Sequence, residues 1–259
     1  MSILHFKKSL TILREIYSDN LSVNLIAEEV QTCSLEDDAS EVKLNMENLD
    51  FDYYGVKSNG RVIGYIVRSE LGEGLISNYT HPFKMDDLVS ESTSLIELLQ
   101  ILRDKHPVFV LEKNQVKKLI TVADLQKQPI RMLVFGLISL LEMNLLQLIK
   151  EHYPEEGWKE HLSFGRLEKM YEVYKLRKEK NEGLGLIECL QLSDKGTIIR
   201  KTPKLLEKLE FLSKRDVDRF FRSIEELRNN TAHSQKYVYD DFNVFLDNIT
   251  RVEKIITLI

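Results

Sequence analysis

The chain has 259 residues, enough for one large domain or two of ordinary size, and 43% hydrophobic and 30% charged residues exclude a disordered chain. The formal net charge of −5 excludes broad, non-specific nucleic-acid binding, so an RNA site would have to be a local basic patch. The two cysteines, Cys33 and Cys189, stand far apart and are typical of reduced, buried thiols in a cytoplasmic protein.

Two segments bear on targeting and on membranes. Residues 1–8 lack the long apolar core of a signal peptide. Residues 132–149 form the most apolar run, but they include Glu142, Asn144 and Gln147, which would be costly in lipid. We therefore expect a buried helix here, a cytoplasmic protein and no membrane partner.

An internal repeat occupies the first half of the chain. Residues 52–67 predict strand, turn, strand, with Asn59-Gly60 as the two-residue hairpin turn. Residues 107–121 repeat this pattern some 54 positions later, and each hairpin follows an amphipathic segment, residues 39–46 and 94–102. A repeat of this length predicts two copies of one supersecondary unit, with residues 72–84 as a loop between them.

With these features residues 21–128 resemble a CBS-domain pair, in which two β-α-β-β-α units pack into a disc. The second hairpin ends in Ile120-Thr121-Val122-Ala123-Asp124-Leu125. In that family a Thr-x-x-Asp after the last strand grips the ribose hydroxyls of an adenosine nucleotide. The resemblance therefore implies that Thr121 and Asp124 bind an effector of the AMP or ATP type.

The first copy departs from the family pattern. Val67 and Glu70 replace the threonine and the aspartate, which argues against a second nucleotide site, although Arg68 could reach a phosphate from the neighbouring site. The second copy departs as well, with Lys118 where the first has Gly64. Thr-x-x-Asp before a helix is also good N-capping chemistry, so nucleotide contact and capping both remain open for the second copy.

From Pro129 onward the periodicity is helical. Asp194-Lys195-Gly196 is interpreted as the end of the third helix, and Ser213, with Asp216 three residues later, as the N-cap of the fourth. The fourth helix carries an apolar stripe: Val217, Phe220, Phe221, Ile224 and Leu227. The predicted helices span residues 130–153, 158–180, a third from 186–192 to its end at 194–196, the stretch from 213 to the Arg228–His233 motif, and 240–259.

The fourth helix delivers Arg228, Asn229 and His233 at its C-terminal end. A guanidinium can hold a phosphodiester, an imidazole can move a proton near neutral pH, and an amide can orient either. On a continuous helix Arg228 and His233 would lie about 140° apart. One chain can therefore join them only if the helix ends between them, as residues 234–239 suggest. Two copies across a two-fold axis would also assemble the site, which predicts a homodimer.

Residues 129–259 thereby resemble the HEPN superfamily, small dimerising helical bundles that carry Arg-x(4–6)-His. Many members look like metal-independent ribonucleases. The resemblance implies that His233 acts as general base or acid and that Arg228 holds the phosphoryl oxygens, with Asn229 orienting one of them. The 2′-hydroxyl of RNA would attack the adjacent phosphate and leave a 2′,3′-cyclic phosphate and a 5′-hydroxyl.

We therefore expect an α+β CBS-like regulatory pair (residues 1–128) followed by an all-α, HEPN-like bundle (residues 129–259). The expected function is RNA cleavage without a metal or other required cofactor, under adenosine-nucleotide control, with no DNA partner. The alternative is a non-catalytic nucleotide sensor that binds a partner protein. Arg228 and His233 could also simply complement the helix dipole. Arg215, Arg219 and Arg222 could attract RNA, although a solvated face is favoured.

Overall fold

The computed structural model describes residue 15 and residues 20–233 and 237–259. Its described residues form two compact units, 20–130 and 131–259. The predictions for residues 1–8 and 234–236 concern positions outside the described part of the chain.

The first unit contains two sheets of four strands. The strands are β1 (Glu28–Glu29), β2 (Thr32–Ser34), β3 (Tyr53–Ser58), β4 (Arg61–Val67), β5 (His81–Pro82), β6 (Leu88–Ser90), β7 (Val108–Glu112) and β8 (Gln115–Ile120). The strand orders are β2-β3-β4-β5 and β1-β8-β7-β6. Helices α1 (Ala39–Leu49) and α2 (Leu95–Asp104) each connect a strand to the parallel strand beside it. The α+β architecture and the two expected amphipathic helices are confirmed.

The repeat is exact in its strand register. Tyr54 faces Ile66 in the first hairpin, and Val108 faces Ile120 in the second, 54 positions later. Both hairpins carry an irregularity at the same place, after Val56 and after Val110. Their turns are left-handed at both central residues, Asn59-Gly60 in the first and Lys113-Asn114 in the second. The predicted duplication of one supersecondary unit is therefore confirmed.

The two copies exchange their leading strands. β1 precedes the first copy in the chain but pairs with β8 of the second, and β5 precedes the second copy but pairs with β4 of the first. Gly64 allows the β5 backbone to come close, because a Cβ built there would lie 2.3 Å from the carbonyl oxygen of His81. This contact gives a physical reason for the glycine in the first copy, where the second has Lys118.

The second unit is helical. Its helices are α3 (Gln128–His152), α4 (Phe164–Glu179), α5 (Leu192–Lys201), α6 (Pro203–Lys208), α7 (Lys214–Ala232) and α8 (Phe242–Leu258). The predicted helix over 158–180 is instead a 3₁₀ turn, Gly157–His161, followed by α4. The apolar stripe predicted for α7 is confirmed, since the five residues named for it are the buried ones in that helix.

The prediction of a helix that begins over residues 186–192 and ends at 194–196 is wrong. Leu186–Cys189 forms a 3₁₀ turn, and α5 begins at Leu192 and continues through Asp194, Lys195 and Gly196. Asp194 belongs to the N-terminal turn, where its carboxylate accepts a hydrogen bond from the Gln191 amide at 2.8 Å. Packing explains the glycine at position 196, because a Cβ there would lie 2.7 Å from Cγ of Phe221. Helix α6, begun by Pro203, was not predicted.

The predicted N-cap of α7 is confirmed. Oγ of Ser213 accepts a hydrogen bond from the Asp216 amide at 3.1 Å. The Asp216 carboxylate does not bond back to the Ser213 amide, as a capping box would require. It accepts hydrogen bonds from the Leu212 amide at 3.2 Å and from the Arg251 guanidinium at 3.1 and 2.7 Å. Arg251 also lies over the Phe211 ring, 4.5 Å from its centroid. Asp216 therefore ties α8 to the start of α7.

Asp216→Asn is expected to destabilise the protein at neutral pH by about 1–3 kcal/mol, the range for charged hydrogen bonds. Partial burial favours the neutral form of Asp216 and so raises its pKa. The hydrogen bonds from Arg251 and Leu212 and the nearby arginine charges favour the charged form more strongly, so the net effect is a lowered pKa. A carboxyl with a lowered folded-state pKa stabilises the fold above its unfolded pKa of about 4, and that contribution is lost as pH falls through the folded-state value.

Denaturant unfolding at about pH 7 and at about pH 3 measures this contribution. The difference between the wild type and the Asp216→Asn variant should shrink on acidification. Asp218→Asn is the matched control, since Asp218 is half exposed and lies 3.4 Å from Arg200. An equal loss of stability in both variants at neutral pH would contradict the role given to Asp216.

By length and composition alone, one helix among the described residues could cross a membrane. This is α3, with a mean hydropathy of 1.9 over its most apolar window. Of that window, 61% is buried inside the protein, as expected from the sequence. A buried core helix passes the same test of length and composition.

Candidate functional site

A cleft between the two copies in the first unit contains Thr121 and Asp124. It has a volume of about 350 Å³. The first copy contributes the segment from Asp50, after α1, to Tyr53, the first residue of β3. The second contributes the end of β8 and the 3₁₀ turn Val122–Gln126. The 54-residue repeat therefore produces a concave site in which both copies take part.

Thr121 and Asp124 are held together at the wall of this cleft. The Thr121 amide donates to Oδ2 of Asp124 at 2.7 Å, and the Thr121 hydroxyl lies 3.2 Å from the same oxygen. Asp124 is buried, 7% exposed, and its Oδ1 lies 2.6 Å from Lys127 Nζ. The capping interpretation is therefore confirmed, and because both residues line the cleft, contact with a ligand hydroxyl is compatible with it.

The first copy lacks this arrangement. Glu70, which replaces the aspartate, accepts a hydrogen bond from Nε2 of the His81 ring at 2.6 Å instead of closing the turn on Val67. Arg68 pairs with Asp52 at 2.6 Å and with Asp50 at 3.4 Å, and both of these carboxylates line the cleft. Arg68 therefore lies at the edge of the cleft, beside these two carboxylates.

The cleft is acidic. Its carboxylates are Glu28, Glu29, Asp50, Asp52 and Asp124, and Lys127 is the cation among the residues that line it. Burial lowers the pKa of Lys127, but hydrogen bonds to Asp124 and Glu28 outweigh burial, so that its pKa is raised and it stays charged. An acidic lining favours ligand groups that donate hydrogen bonds, such as hydroxyl and amino groups, over bare anions.

Arg228 lies in a second cavity, within the helical unit, of about 400 Å³. Its guanidinium is 3.2 Å from Oε1 of Glu142, and Oε2 of the same carboxylate is 3.1 Å from Lys195 Nζ. Arg166 lines the same cavity and forms a two-point ion pair with the buried Asp194, at 2.7 and 2.6 Å. The structure therefore places Arg228 in a cluster of ion pairs.

Asn229 and His233 are exposed and do not line that cavity. Helix α7 ends at Ala232, and His233 has an extended backbone, with φ −110° and ψ 104°. The helix therefore continues through four of the five steps from Arg228 to His233, and within one chain the structure does not bring these two side chains into one cavity. Arg131 donates to the carbonyl oxygens of Asn230 at 2.9 Å and of His233 at 3.2 Å, and so neutralises this end of α7.

Sequence reasoning did not find Glu142, Arg166, Asp194 or Lys195. Each comes from a different part of the chain than Arg228, and no short spacing joins them to it. Lys195 and Asp194 had been interpreted as a helix end. The available signal was the charge of Glu142 within an otherwise apolar run, which indicates a buried ionic partner.

No protein-family model matches the sequence, and no curated protein matches it. Solved structures resemble part of the chain. A CBS domain of the bacterial CNNM/CorC Mg²⁺ transporter family in complex with ATP is 17% identical, with a TM-score of 0.37, over 49% of this chain and 96% of that one. CBSX2 in complex with AMP is 9% identical, with a TM-score of 0.37, over 43% and 98%.

A third solved structure, of an uncharacterised conserved protein from Pyrococcus horikoshii, is 14% identical, with a TM-score of 0.38, over 41% of this chain and 90% of that one. At these identities the likeness concerns the fold alone.

Proposed function

We propose that residues 20–130 form a CBS-type sensor that binds an adenosine nucleotide and regulates the helical half of the chain. The observation that carries this proposal is the cleft between the two copies, with Thr121 and Asp124 on its wall. A ribose offers two neighbouring hydroxyl donors, and a carboxylate with a hydroxyl beside it can accept both. We propose residues 1–128 as the regulatory part and residues 129–259 as the part that is regulated, in a cytoplasmic protein.

The charges of the cleft support a particular orientation of the nucleotide. The ribose and the adenine amino group would lie toward the carboxylates, and the phosphate toward Arg68 and Lys127. Both cations are already paired, so each further phosphate adds repulsion from five carboxylates without a free cation to offset it. AMP is therefore expected to bind more tightly than ATP.

Thr121→Val tests the proposal. The first copy already has Val67 at the equivalent position, so the strand end tolerates valine, and the Thr121 amide keeps its bond to Asp124. The loss of one hydroxyl partner is expected to weaken AMP binding by about tenfold, while the thermal unfolding midpoint changes little. Isothermal titration calorimetry with AMP and ATP measures the affinities.

Glu70→Gln is the matched control for this test. Glu70 occupies the position of Asp124 in the first copy but contacts His81. AMP affinity should stay within about twofold of the wild type in this variant. AMP binding that is equal in the wild type and in Thr121→Val would exclude Thr121 from the site, and absence of AMP binding to the wild type would overturn the proposal.

RNA cleavage by the helical half is the second candidate function. The observation that favours it is the end of α7 at Ala232, which leaves His233 exposed beside a helix that carries Arg228 in a cationic cavity. In this candidate a homodimer joins Arg228 of one chain to His233 of the other, with Asn229 as the orienting amide, and no metal takes part. Cleavage of RNA in the presence of EDTA, with 2′,3′-cyclic phosphate ends, tests it.

A further inference from the structure

We infer that the cavity beside Arg228 is a binding site for a small organic phosphate. Four cationic side chains line it against two carboxylates, and its volume of about 400 Å³ lies within the range of small-molecule sites. The cations are Arg166, Arg177, Lys195 and Arg228. The inference requires one chain only and does not involve His233 or the first unit, so it is independent of nucleotide binding there; with the RNA-cleavage candidate it shares Arg228 alone.

The charge balance around Glu142 is the first argument. Lys195 and Arg228 share this one carboxylate, at 3.1 and 3.2 Å. The Lys195 side chain is only 5% exposed. Within the described part of the chain, no other carboxylate lies within salt-bridge distance of either cation. The two cations therefore carry one positive charge more than the carboxylate that they share. The Arg228 side chain is 32% exposed, so an anion can reach this excess charge from solvent.

The geometry of Arg166 is the second argument. Asp194 holds the guanidinium through Nε at 2.7 Å and one terminal nitrogen at 2.6 Å, and Asp194 itself is buried. Arg166 is thus fixed in place, and its other terminal nitrogen remains for a ligand. A fixed guanidinium facing a second cationic group matches a phosphate, which can accept hydrogen bonds from several directions.

The apolar part of the lining indicates an organic ligand. Met143 and Leu146 on α3, and Met170 and Val173 on α4, line the cavity together with the cations. Met170 is buried, but a bare inorganic ion would leave Met143, Leu146 and Val173 partly against water. An apolar or aromatic group attached to the phosphate would cover them.

Helix α4 supplies one side of the cavity and is lightly packed. Met170 is the buried residue among its described side chains, although the helix has 16 residues. A phosphate that joins Arg166 on α4 to Lys195 and Arg228 on other elements would tie α4 to the rest of the unit. Ligand binding should therefore slow amide hydrogen exchange in residues 164–179.

Calorimetric titration of the full chain with phenyl phosphate and with inorganic phosphate tests the inference. Neither probe has a ribose, so Thr121→Val should leave both affinities unchanged. We expect saturable one-to-one binding, with phenyl phosphate binding more tightly than inorganic phosphate. Arg228→Gln should weaken binding by about tenfold, whereas Arg222→Gln, the same charge change on the same helix outside the cavity, should alter it less than twofold.

The result that would overturn the inference is the absence of saturable binding by either probe, or an equal loss in the two arginine variants. Benzoate binding as tightly as phenyl phosphate would overturn the assignment to phosphate. If Arg228→Gln does not fold, Arg177→Gln takes its place, because Arg177 is more exposed and makes one long ion pair, 3.7 Å from Glu182. Unchanged exchange of residues 164–179 on saturation would also contradict the site.

Discussion

Replacement of His233 by alanine is expected to slow RNA cleavage by about 10²–10⁴-fold, the range for loss of a general acid or base. The reason is chemical: the 2′-hydroxyl must lose a proton and the leaving oxygen must gain one. His233 is exposed at the end of α7, so alanine removes the imidazole without leaving a cavity in the core. His106→Ala, at an exposed position in the other unit, should retain full cleavage.

A mixing experiment locates the site on one chain or two. Arg228→Ala and His233→Ala should each be inactive alone. If Arg228 and His233 act from opposite chains, a co-refolded mixture contains heterodimers with one intact site of two, and activity returns to about a quarter of the wild type. If both act from one chain, the mixture stays inactive. Full cleavage by His233→Ala alone would exclude the catalytic assignment.

Asp194→Ala is expected to destabilise the protein by about 3–5 kcal/mol, the cost of leaving a largely buried charge without its partner. Asp194 accepts two hydrogen bonds from Arg166 and one from the Gln191 amide, so alanine leaves a guanidinium unpaired and removes the cap of α5. Chemical denaturation monitored by circular dichroism measures the loss.

Two comparisons sharpen the Asp194 experiment. Asp86→Ala breaks an exposed pair with Lys105 at 3.1 Å and should cost less than about 1 kcal/mol. The double variant Arg166→Met/Asp194→Leu should recover part of the loss, because apolar side chains of similar size replace the pair. A double variant less stable than Asp194→Ala alone would contradict this account.

The features that the sequence predicts correctly are those that depend on residues close together in the chain. The hairpin turn at Asn59-Gly60, the cap at Ser213 and the stripe on α7 each depend on residues a few positions apart, so the pattern was readable. The repeat was readable because both copies preserve one register. These features specify the two halves of the fold.

What the sequence did not predict depends on contacts between distant segments. Glycine at position 196 predicts the end of a helix, but the structure shows that it makes room for the Phe221 ring, 25 positions later in the chain. The Glu142–Lys195–Arg228 cluster joins three helices whose order in the chain gives no sign of their proximity. Such contacts become visible only once the helices have packed.

The exchange of leading strands makes the two repeats of the first unit inseparable. A chain cut at Gly74 would leave the first fragment without β5 and the second without β1, so each sheet would lose an outer strand and expose an unpaired edge. Neither fragment is a complete folding unit, and the two should recover structure only when mixed. Both fragments contribute residues to the wall of the cleft, so a ligand bound there would stabilise their association. Reassembly of the fragments would therefore be a direct assay for ligand binding.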